Sequence, residues 1–252
     1  MSELLKRYFI EFCYKGTAYH GWQIQQNATS VQSVMQSALS RVLKEPIRLT
    51  GAGRTDTGVH AKQMFAHFDS QEFLDDNKLA RLVKSLNSML PYDISVFKVF
   101  QVHENAHARF DATQRTYEYF THLNKDPFLK DLSWKLWSMP DVEKMNDAAK
   151  FLLGKHDFSC FSKTHTQVYT HICEVRYASW RFQGNQLVFE ISANRFLRDM
   201  VRAIVGTLLE VGNKGKSVEF IKEVMDSKNR SLAGQSVPAH GLFLKNIQYP
   251  YL

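Results

Sequence analysis

The sequence has very little cysteine, with only Cys13, Cys160 and Cys173 among its 252 residues. No two of them have the Cys-x-x-Cys spacing of a zinc ribbon, and three thiols cannot build the disulfide framework of a small secreted domain. The opening residues also lack a long apolar run, so we expect neither a signal peptide nor a membrane-spanning segment. Together these absences predict a protein of the reducing cytoplasm.

Low-complexity tracts are absent as well, and acidic residues are the minority among the charged ones. The composition, 44% apolar and 23% charged, is that of a globular chain long enough for one large domain or two modest ones. Lys and Arg number 32 against 25 Asp and Glu, which gives a net charge of +7. Such an excess favours a polyanionic partner, because neutralised phosphates release counterions. On charge alone, a basic protein without a nucleic-acid partner is an equally good interpretation.

Hydrophobic periodicity predicts the same order of elements in two successive halves of the chain. In the first half, apolar residues at helical spacing follow Ser30, a good N-cap, and a second helix should stop at Pro91. In the second half, Gly184-Asn185 indicates a β-hairpin turn, and a long helix should close at Gly212. Both halves have the order strand–helix–strand–strand–helix–strand, with one extra helix in the second.

This order is ferredoxin-like, so the sequence predicts an α+β protein built on antiparallel sheets with helices on one face. We expect two domains, an N-terminal half at residues 1–105 and a C-terminal half at residues 106–252. The two sheets are expected side by side, with a cleft between the halves.

The segment Gly-Ala-Gly-Arg-Thr-Asp-Thr-Gly-Val-His-Ala at residues 51–61 concentrates unusual chemistry. Its glycines permit tight turns and close approach of the backbone to a ligand, and Arg54, Thr55 and Asp56 lie between them. The spacing fits neither the dinucleotide fingerprint G-x-G-x-x-G nor a P-loop, since no Gly-Lys-Ser/Thr follows. On spacing alone, a functional carboxylate and a structural hairpin in which Asp56 caps its own backbone are equally good interpretations.

Several further motifs, taken with this segment, resemble the tRNA pseudouridine synthase A family. They are Tyr-Lys-Gly-Thr-Ala-Tyr-His-Gly-Trp-Gln at 14–23, Ala108-Arg109-Phe110, Arg115-Thr116-Tyr117, Gly-Lys-His-Asp-Phe at 154–158, Asn-Arg-Phe-Leu at 194–197, Met200-Val201-Arg202 and Gly-Leu-Phe-Leu at 241–244. They follow the family's order over nearly the whole chain, and an ordered set of motifs is far more specific than any one of them.

The resemblance implies the pseudouridine synthase fold and an isomerase that needs no cofactor and no metal. In such enzymes uridine is detached at N1, turned and re-attached through C5, so that the product is an isomer. The implied substrate is tRNA, at positions 38–40 in the anticodon stem-loop. The resemblance also implies a homodimer in which one tRNA spans both subunits.

The resemblance further implies roles for individual residues. Asp56, in the first half, is the catalytic carboxylate, and attack on the base or on the sugar C1′ both stay open. In the second half, Tyr117 stacks on the target base, and Arg202 pairs with the carboxylate. At position 203 the chain has alanine where we associate an asparagine with this motif. The difference affects an expected hydrogen bond of the helix more than the expected pairing of Arg202 with Asp56. The residues expected to bind RNA are Arg54, Thr55 and Arg109, and either Leu242 or Leu244 is expected to line the base pocket.

Two hypotheses from other classes accompany this one. His103-Glu104-Asn105-Ala106-His107 matches H-E-x-x-H, a zinc motif when it lies on a helix, although its flanks show no helical stripe. An RNA-binding module without catalysis is the second, because Tyr8, Phe9 and Phe12 on a ferredoxin-like strand could form a base-stacking platform. Those aromatic residues are equally suited to the core.

Overall fold

A computed structural model describes residues 5–163 and 168–252 of the chain. The chain divides into two compact units. Unit 1 takes the chain up to Thr113 and also includes its last segment, Leu244–Leu252, whereas unit 2 is Gln114–Phe243.

This division differs from the predicted halves at both ends of the second one. Residues 106–113 belong with unit 1, and so does the C-terminal segment from residue 244. The hydroxyl of Tyr249 donates to the carbonyl of Ala108 at 2.5 Å, and the amide of Thr113 donates to the carbonyl of Gln248 at 2.9 Å. Hydrogen bonds between residues so far apart in sequence leave no trace in local periodicity, which explains why the pattern did not predict them.

Unit 1 has the predicted order of strands and helices. Its elements are β1 (Lys6–Tyr14), α1 (Val31–Leu43), β2 (Thr50–Gly51), β3 (His60–Ser70), α2 (Asp76–Met89) and β4 (Ile94–Gln101). The strands are antiparallel, β1 lies between β4 and β3, and β2 pairs with β3. This is the ferredoxin-like sheet order, so the α+β prediction is confirmed for this unit.

Helix α1 begins, and helix α2 ends, at the predicted signals. The Ser30 hydroxyl accepts from the Ser33 amide, and the Ser33 hydroxyl accepts from the Ser30 amide, both at 3.2 Å, which completes a capping box. Helix α2 ends at Met89, two residues before Pro91. Both signals are local, which is why the sequence was sufficient to predict them.

Aromatic residues of β1 form the centre of this core. Tyr8, Phe9 and Phe12 have 0% exposure, and the Tyr8 hydroxyl accepts a hydrogen bond from the Leu74 amide at 2.9 Å. Rings buried in this way cannot stack on RNA bases. The hypothesis of a base-stacking platform on these three residues is therefore wrong, and their role is packing.

Unit 2 repeats the order with additions. Its elements are β5 (Gln114–His122), β6 (Trp134–Lys135), α3 (Val142–Ala149), β7 (Gly154–Asp157), β8 (Ile172–Gln183), β9 (Gln186–Ala193), α4 (Met200–Asn213), α5 (Phe220–Ser227) and the start of β10 (Leu242–Gln248). Antiparallel pairing gives the order β5-β9-β8-β7, and β6 pairs with β5 in parallel. Helix α5 is the predicted extra helix, and the hairpin turn falls at Gly184-Asn185.

One helix boundary in unit 2 differs from the prediction. Helix α4 continues through Gly212 to Asn213, so this glycine does not close it. A Cβ on Gly212 would lie 2.9 Å from side-chain carbons of Pro140 and Met145, so the glycine allows α4 to pack closely against the start of α3. In the described part of the chain, no helix is long and apolar enough to cross a membrane.

Candidate active site

The loop that carries Asp56 joins β2 to β3 and is held by the turn-rich segment after β1. The amide of Trp22 donates to the carbonyl of Thr55 at 3.2 Å, and the amide of Gly58 donates to the carbonyl of Tyr19 at 3.4 Å. Both bonds come from the motif at residues 14–23. Two motifs that the sequence presents separately therefore form one structural unit.

Two glycines of that motif permit the close contact. A Cβ on Gly16 would lie 2.0 Å from the carbonyl oxygen of Val59, and one on Gly21, whose φ is +81°, would lie 2.4 Å from that of Thr55. The Gly16 amide also donates to Nδ1 of His60 at 2.9 Å, and His60 is buried. Any larger residue at either glycine would push the Asp56 loop away from its support.

Within the loop, neighbouring residues differ in exposure. Thr55 is buried and its hydroxyl is hydrogen-bonded to the Tyr14 hydroxyl at 2.8 Å, so it supports the loop from inside. Asp56 is half-buried, and its backbone carbonyl accepts from the Val59 amide at 3.1 Å. Arg54 is exposed, and its Nε donates to Oε1 of Gln23 at 3.1 Å. The loop thus carries a half-buried aspartate two residues after an exposed arginine.

In unit 2, Tyr117 lies on β5 opposite Ile191 of β9. Its ring is half-buried and meets the ring of Phe196 edge to face, with centroids 5.1 Å apart. Tyr119, two residues further along the strand, is completely buried, and its hydroxyl donates to the Pro238 carbonyl at 2.8 Å. Burial raises the pKa of Tyr119. Of the two tyrosines, Tyr117 therefore has the partly accessible ring that stacking requires.

Arg202 lies in the first turn of α4 and is 21% exposed. Its Nε donates to the Val237 carbonyl at 2.6 Å, and its Nη1 lies 3.1 Å from Oδ1 of Asp199. A charged, mostly buried guanidinium with two fixed partners differs from an ordinary surface arginine, whose side chain samples many rotamers.

The other predicted residues fall into different surroundings. Leu242 and Leu244 are both buried, the first in unit 2 and the second in unit 1. Arg109 is exposed on the loop after β4, with its guanidinium carbon 5.6 Å from the centroid of the Phe110 ring. Unit 1 thus brings Arg54, Thr55 and Asp56 together. Tyr117 and Arg202 belong to unit 2, and the joint action of Asp56 and Arg202 stays a prediction.

The H-E-x-x-H segment does not have the geometry of a zinc site. Residues 103–107 form turns rather than a helix, and Nδ1 of His107 accepts from the amides of Arg109 and Phe110 at 3.1 and 3.2 Å. The ring of His103 packs against Tyr251. Over residues 5–163 and 168–252, no three His, Cys, Asp or Glu side chains are grouped to hold a metal. The zinc hypothesis is therefore wrong for this segment.

The buried thiols of unit 2 are unsuited to nucleophilic chemistry. Burial raises the pKa of Cys160 to about 12 and that of Cys173 to about 11. A thiol acts as a nucleophile only when it is ionised, and these two are neutral at neutral pH.

Comparison with known proteins identifies the family. The family model described as tRNA pseudouridine synthase matches residues 12–111 and 148–250. The chain belongs to the tRNA pseudouridine synthase family. Its fold class and enzyme class are thereby as predicted: it is an α+β isomerase that converts uridine in tRNA to pseudouridine.

Relatives of this pseudouridine synthase cover almost the whole chain. A protein of Parabacteroides distasonis is 48% identical over 246 residues, which span 98% of this chain and 97% of the relative. One of Bacteroides thetaiotaomicron is 49% identical over 249 residues, or 98% and 91% of the two chains. One of Francisella tularensis is 38% identical over 249 residues, or 98% and 95%. Each relative bears the name tRNA pseudouridine synthase A.

Sequence reasoning missed several residues that contact or adjoin the predicted site residues. His60 follows Asp56 closely and lies in the motif, but its contact with Gly16 is visible only in the fold. Asp199 precedes α4, a position where an aspartate ordinarily indicates a helix cap. Tyr119 is buried and donates to the Pro238 carbonyl. The signal available for it in the sequence was the spacing of two between the aromatic residues Tyr117 and Tyr119 on β5.

Proposed function

We propose that this enzyme isomerises uridines just 3′ of the anticodon in tRNA, with Asp56 as the catalytic carboxylate. The observation that best supports the role of Asp56 is the construction of its loop. Gly16 and Gly21 allow a tight contact, the Tyr14–Thr55 hydrogen bond is buried, and the aspartate is half-buried on this support. A catalytic group must be held by rigid surroundings if it is to meet a reacting atom in the correct geometry.

The proposed reaction breaks the bond between N1 and C1′ and forms one between C5 and C1′. The proton leaves C5 and N1 gains one, so uridine and pseudouridine have the same atoms and no electrons are exchanged. Asp56 acts as a nucleophile, either on the base or on C1′. Tyr117 stacks on the uracil with its half-buried ring, and Arg202 orients the carboxylate of Asp56.

The remaining proposals concern the partner and the setting of the enzyme. The net charge of +7 supports binding of a polyanion such as tRNA. Two exposed cations could contact it: Arg54, two residues before Asp56, and Arg109, whose guanidinium lies over the Phe110 ring. We propose that the enzyme acts as a homodimer in the cytoplasm and that it needs neither a metal nor a cofactor.

The substitution Asp56→Asn tests the central claim. Asn has nearly the same shape without the charge, so we expect an intact fold, retained tRNA binding and no detectable turnover. The assay uses unmodified tRNA transcripts, a chelator and base-specific chemical tagging of pseudouridine. Asp76→Asn, at an exposed position in the first turn of α2, is the matched control and should turn over normally.

Two outcomes would contradict the proposal. Turnover of Asp56→Asn within about tenfold of the wild type, a barrier change of only ~1.4 kcal/mol, would show that another group is catalytic. Turnover that the chelator abolishes and zinc restores would show a metal enzyme. A map of pseudouridines in cellular RNA, with and without the protein, tests the position in the anticodon stem-loop.

A further inference from the structure

The start of α4 holds a cluster of charged and polar side chains around Asp199. Its Oδ1 lies 3.1 Å from Nη1 of Arg202, and its Oδ2 accepts a hydrogen bond from the Ser236 hydroxyl. Nη2 of Arg230 donates to the same hydroxyl at 2.8 Å and lies 3.9 Å from the carboxylate. The Asp199 side chain is only 14% exposed, so solvent screens these interactions weakly.

Asp199 occupies the N-cap position of α4 without acting as a cap. An N-cap aspartate normally has extended backbone and accepts a hydrogen bond from the first turn of the helix. Here φ is +67°, and within the described ranges the carboxylate accepts no capping hydrogen bond. A left-handed backbone is uncommon outside glycine, although aspartate and asparagine tolerate it best, which favours a role that fixes this aspartate in place. The carboxylate is directed at Arg202 and Ser236 instead of at the helix end.

Arg202 is held a second time by the segment that precedes β10. The Val237 carbonyl accepts from Nε at 2.6 Å, and the Val237 amide donates to the Arg202 carbonyl at 3.3 Å. This segment is pressed against the backbone of α4, because a Cβ on Gly206 would lie 1.9 Å from the carbonyl oxygen of Gln235. The guanidinium is thus fixed at Nε and at Nη1 by groups of unit 2.

We infer that Asp199 is a positioning residue for Arg202 and that Ser236 and Arg230 hold Asp199 in turn. The inference rests on the proposed function, in which Arg202 acts with Asp56. A guanidinium presents its donors in a rigid fork, so fixing its plane sets the direction in which it meets a carboxylate. Arg230 brings a second positive charge, so the cluster of two arginines and one aspartate keeps a net charge of +1. Arg202 therefore stays attractive to a second carboxylate although Asp199 is beside it.

The test compares Asp199→Asn with the wild type at three levels. Asn tolerates the left-handed backbone but lacks the charge that attracts the guanidinium. Misplacement by about 1 Å lowers rates up to roughly a hundredfold, so we expect the single-turnover rate constant to fall about tenfold to a hundredfold. The tRNA dissociation constant should change little, whereas the thermal midpoint should fall, because a weakly screened ion pair is lost. Asp226→Asn, which removes an exposed carboxylate 2.6 Å from Lys222 on α5, is the control and should match the wild type.

The decisive measurement repeats Asp199→Asn in an Arg202→Met background. A residue that acts through Arg202 has nothing to position once the guanidinium is gone, so the second substitution should cause no further loss. A merely structural role would give additive losses and would overturn the inference. If Asp199→Asn does not fold, Ser236→Ala takes its place, with a smaller loss that must also vanish in the Arg202→Met background.

The failure of this inference can be distinguished from failure of the proposed function. Near-normal turnover of Arg202→Met would refute the role of Arg202 itself, and Asp199 would lose its function with it. A collapse of turnover in Arg202→Met together with normal turnover in Asp199→Asn would leave the proposed function intact and overturn the positioning role alone.

Discussion

The hydroxyl groups of Tyr14 and Thr55 lie 2.8 Å apart in a buried hydrogen bond. Tyr14 is the last residue of β1, and Thr55 directly precedes the proposed catalytic Asp56. This single bond therefore joins the central strand of unit 1 to the loop that carries the proposed catalytic carboxylate.

We predict that Tyr14→Phe lowers both stability and turnover. A buried hydroxyl left without its partner costs about 1–3 kcal/mol, and the loop loses a fixed point beside Asp56. Urea denaturation and single-turnover rates measure the two effects. Tyr8→Phe is the matched control, since this buried hydroxyl on the same strand bonds to Leu74 instead. It should lower stability and leave the rate unchanged, and equal rate losses in both variants would contradict the prediction.

The second prediction compares two glycine-to-alanine substitutions. It separates the cost of a strained backbone from the cost of a steric clash between the new Cβ and a neighbouring atom. Gly21 and Gly215 both have positive φ, +81° and +67°. A Cβ on Gly215 meets no described atom within 4 Å, so Gly215→Ala should cost only about 1 kcal/mol of strain. A Cβ on Gly21 lies 2.4 Å from the Thr55 carbonyl oxygen, so Gly21→Ala should cost clearly more and should abolish turnover. Equal losses of stability and full activity in the two variants would show that the contact is dispensable.

The sequence was sufficient for features whose causes are local. The Ser30 cap, Pro91 after α2 and the turn at Gly184-Asn185 each depend on neighbouring residues, and all three were predicted correctly. Gly212 was interpreted as a helix end, because glycine usually is one there. Its actual reason is a contact with Met145 on another helix, which no local pattern contains.

The candidate site also depends on contacts between residues distant in sequence, which local patterns do not contain. Motif resemblance singled out Asp56, but the reason for the motif at residues 14–23 appears only when Gly16 reaches His60 across 44 positions. Asp199 could not be recognised as a partner of Arg202 rather than a helix cap, since its backbone φ is set by the fold. The basic composition was compatible with a polyanionic partner and equally with a basic protein that has none, and it did not indicate which cations would contact RNA.

The third prediction concerns the loss of stability at low pH that protonation of His67 should cause. Burial, and after it the positive charges of Arg7 and His107, lower the pKa of His67 to about 4. The neutral ring accepts the Ala108 amide on Nδ1 at 3.1 Å. The unfolded chain binds this proton near pH 6.5 and the folded chain only near pH 4, so stability should fall as the pH drops through this window.

Urea titrations at several pH values between about 4 and 7 test this prediction. His67→Gln keeps an acceptor but cannot be protonated there, so the dependence of unfolding free energy on pH should become flatter. His20→Gln, at an exposed position, should leave the slope as in the wild type. An unchanged slope in His67→Gln would show that the ring does not titrate differently in the two states.

The fourth prediction concerns the loop of Arg109 and Phe110. Hydrogen bonds to Nδ1 of His107 fix its backbone, yet the Phe110 side chain is 74% exposed. A rigid loop with an exposed ring and cation suits a nucleotide, because a ring can stack and a guanidinium can meet phosphate.

We therefore expect Phe110→Ala to weaken tRNA binding and Arg109→Met to reduce its salt dependence. Loss of one phosphate contact lowers the log–log salt slope by about 0.7–0.9. Titrations of labelled tRNA at several salt concentrations measure both effects. Arg81→Met, at an exposed position on α2, controls for the loss of one charge. Binding by the two loop variants that matches this control would contradict the prediction.

The return of the chain to unit 1 at Leu244 has a consequence for how the protein folds during its synthesis. A ribosome makes the N-terminal residues first, but unit 1 lacks Leu244–Leu252, and with this segment the partners of Ala108 and Thr113, until all of unit 2 has been made. The two units cannot therefore mature strictly in the order in which they are translated. A chain that stops before Leu244 would lack part of the unit that was synthesised first.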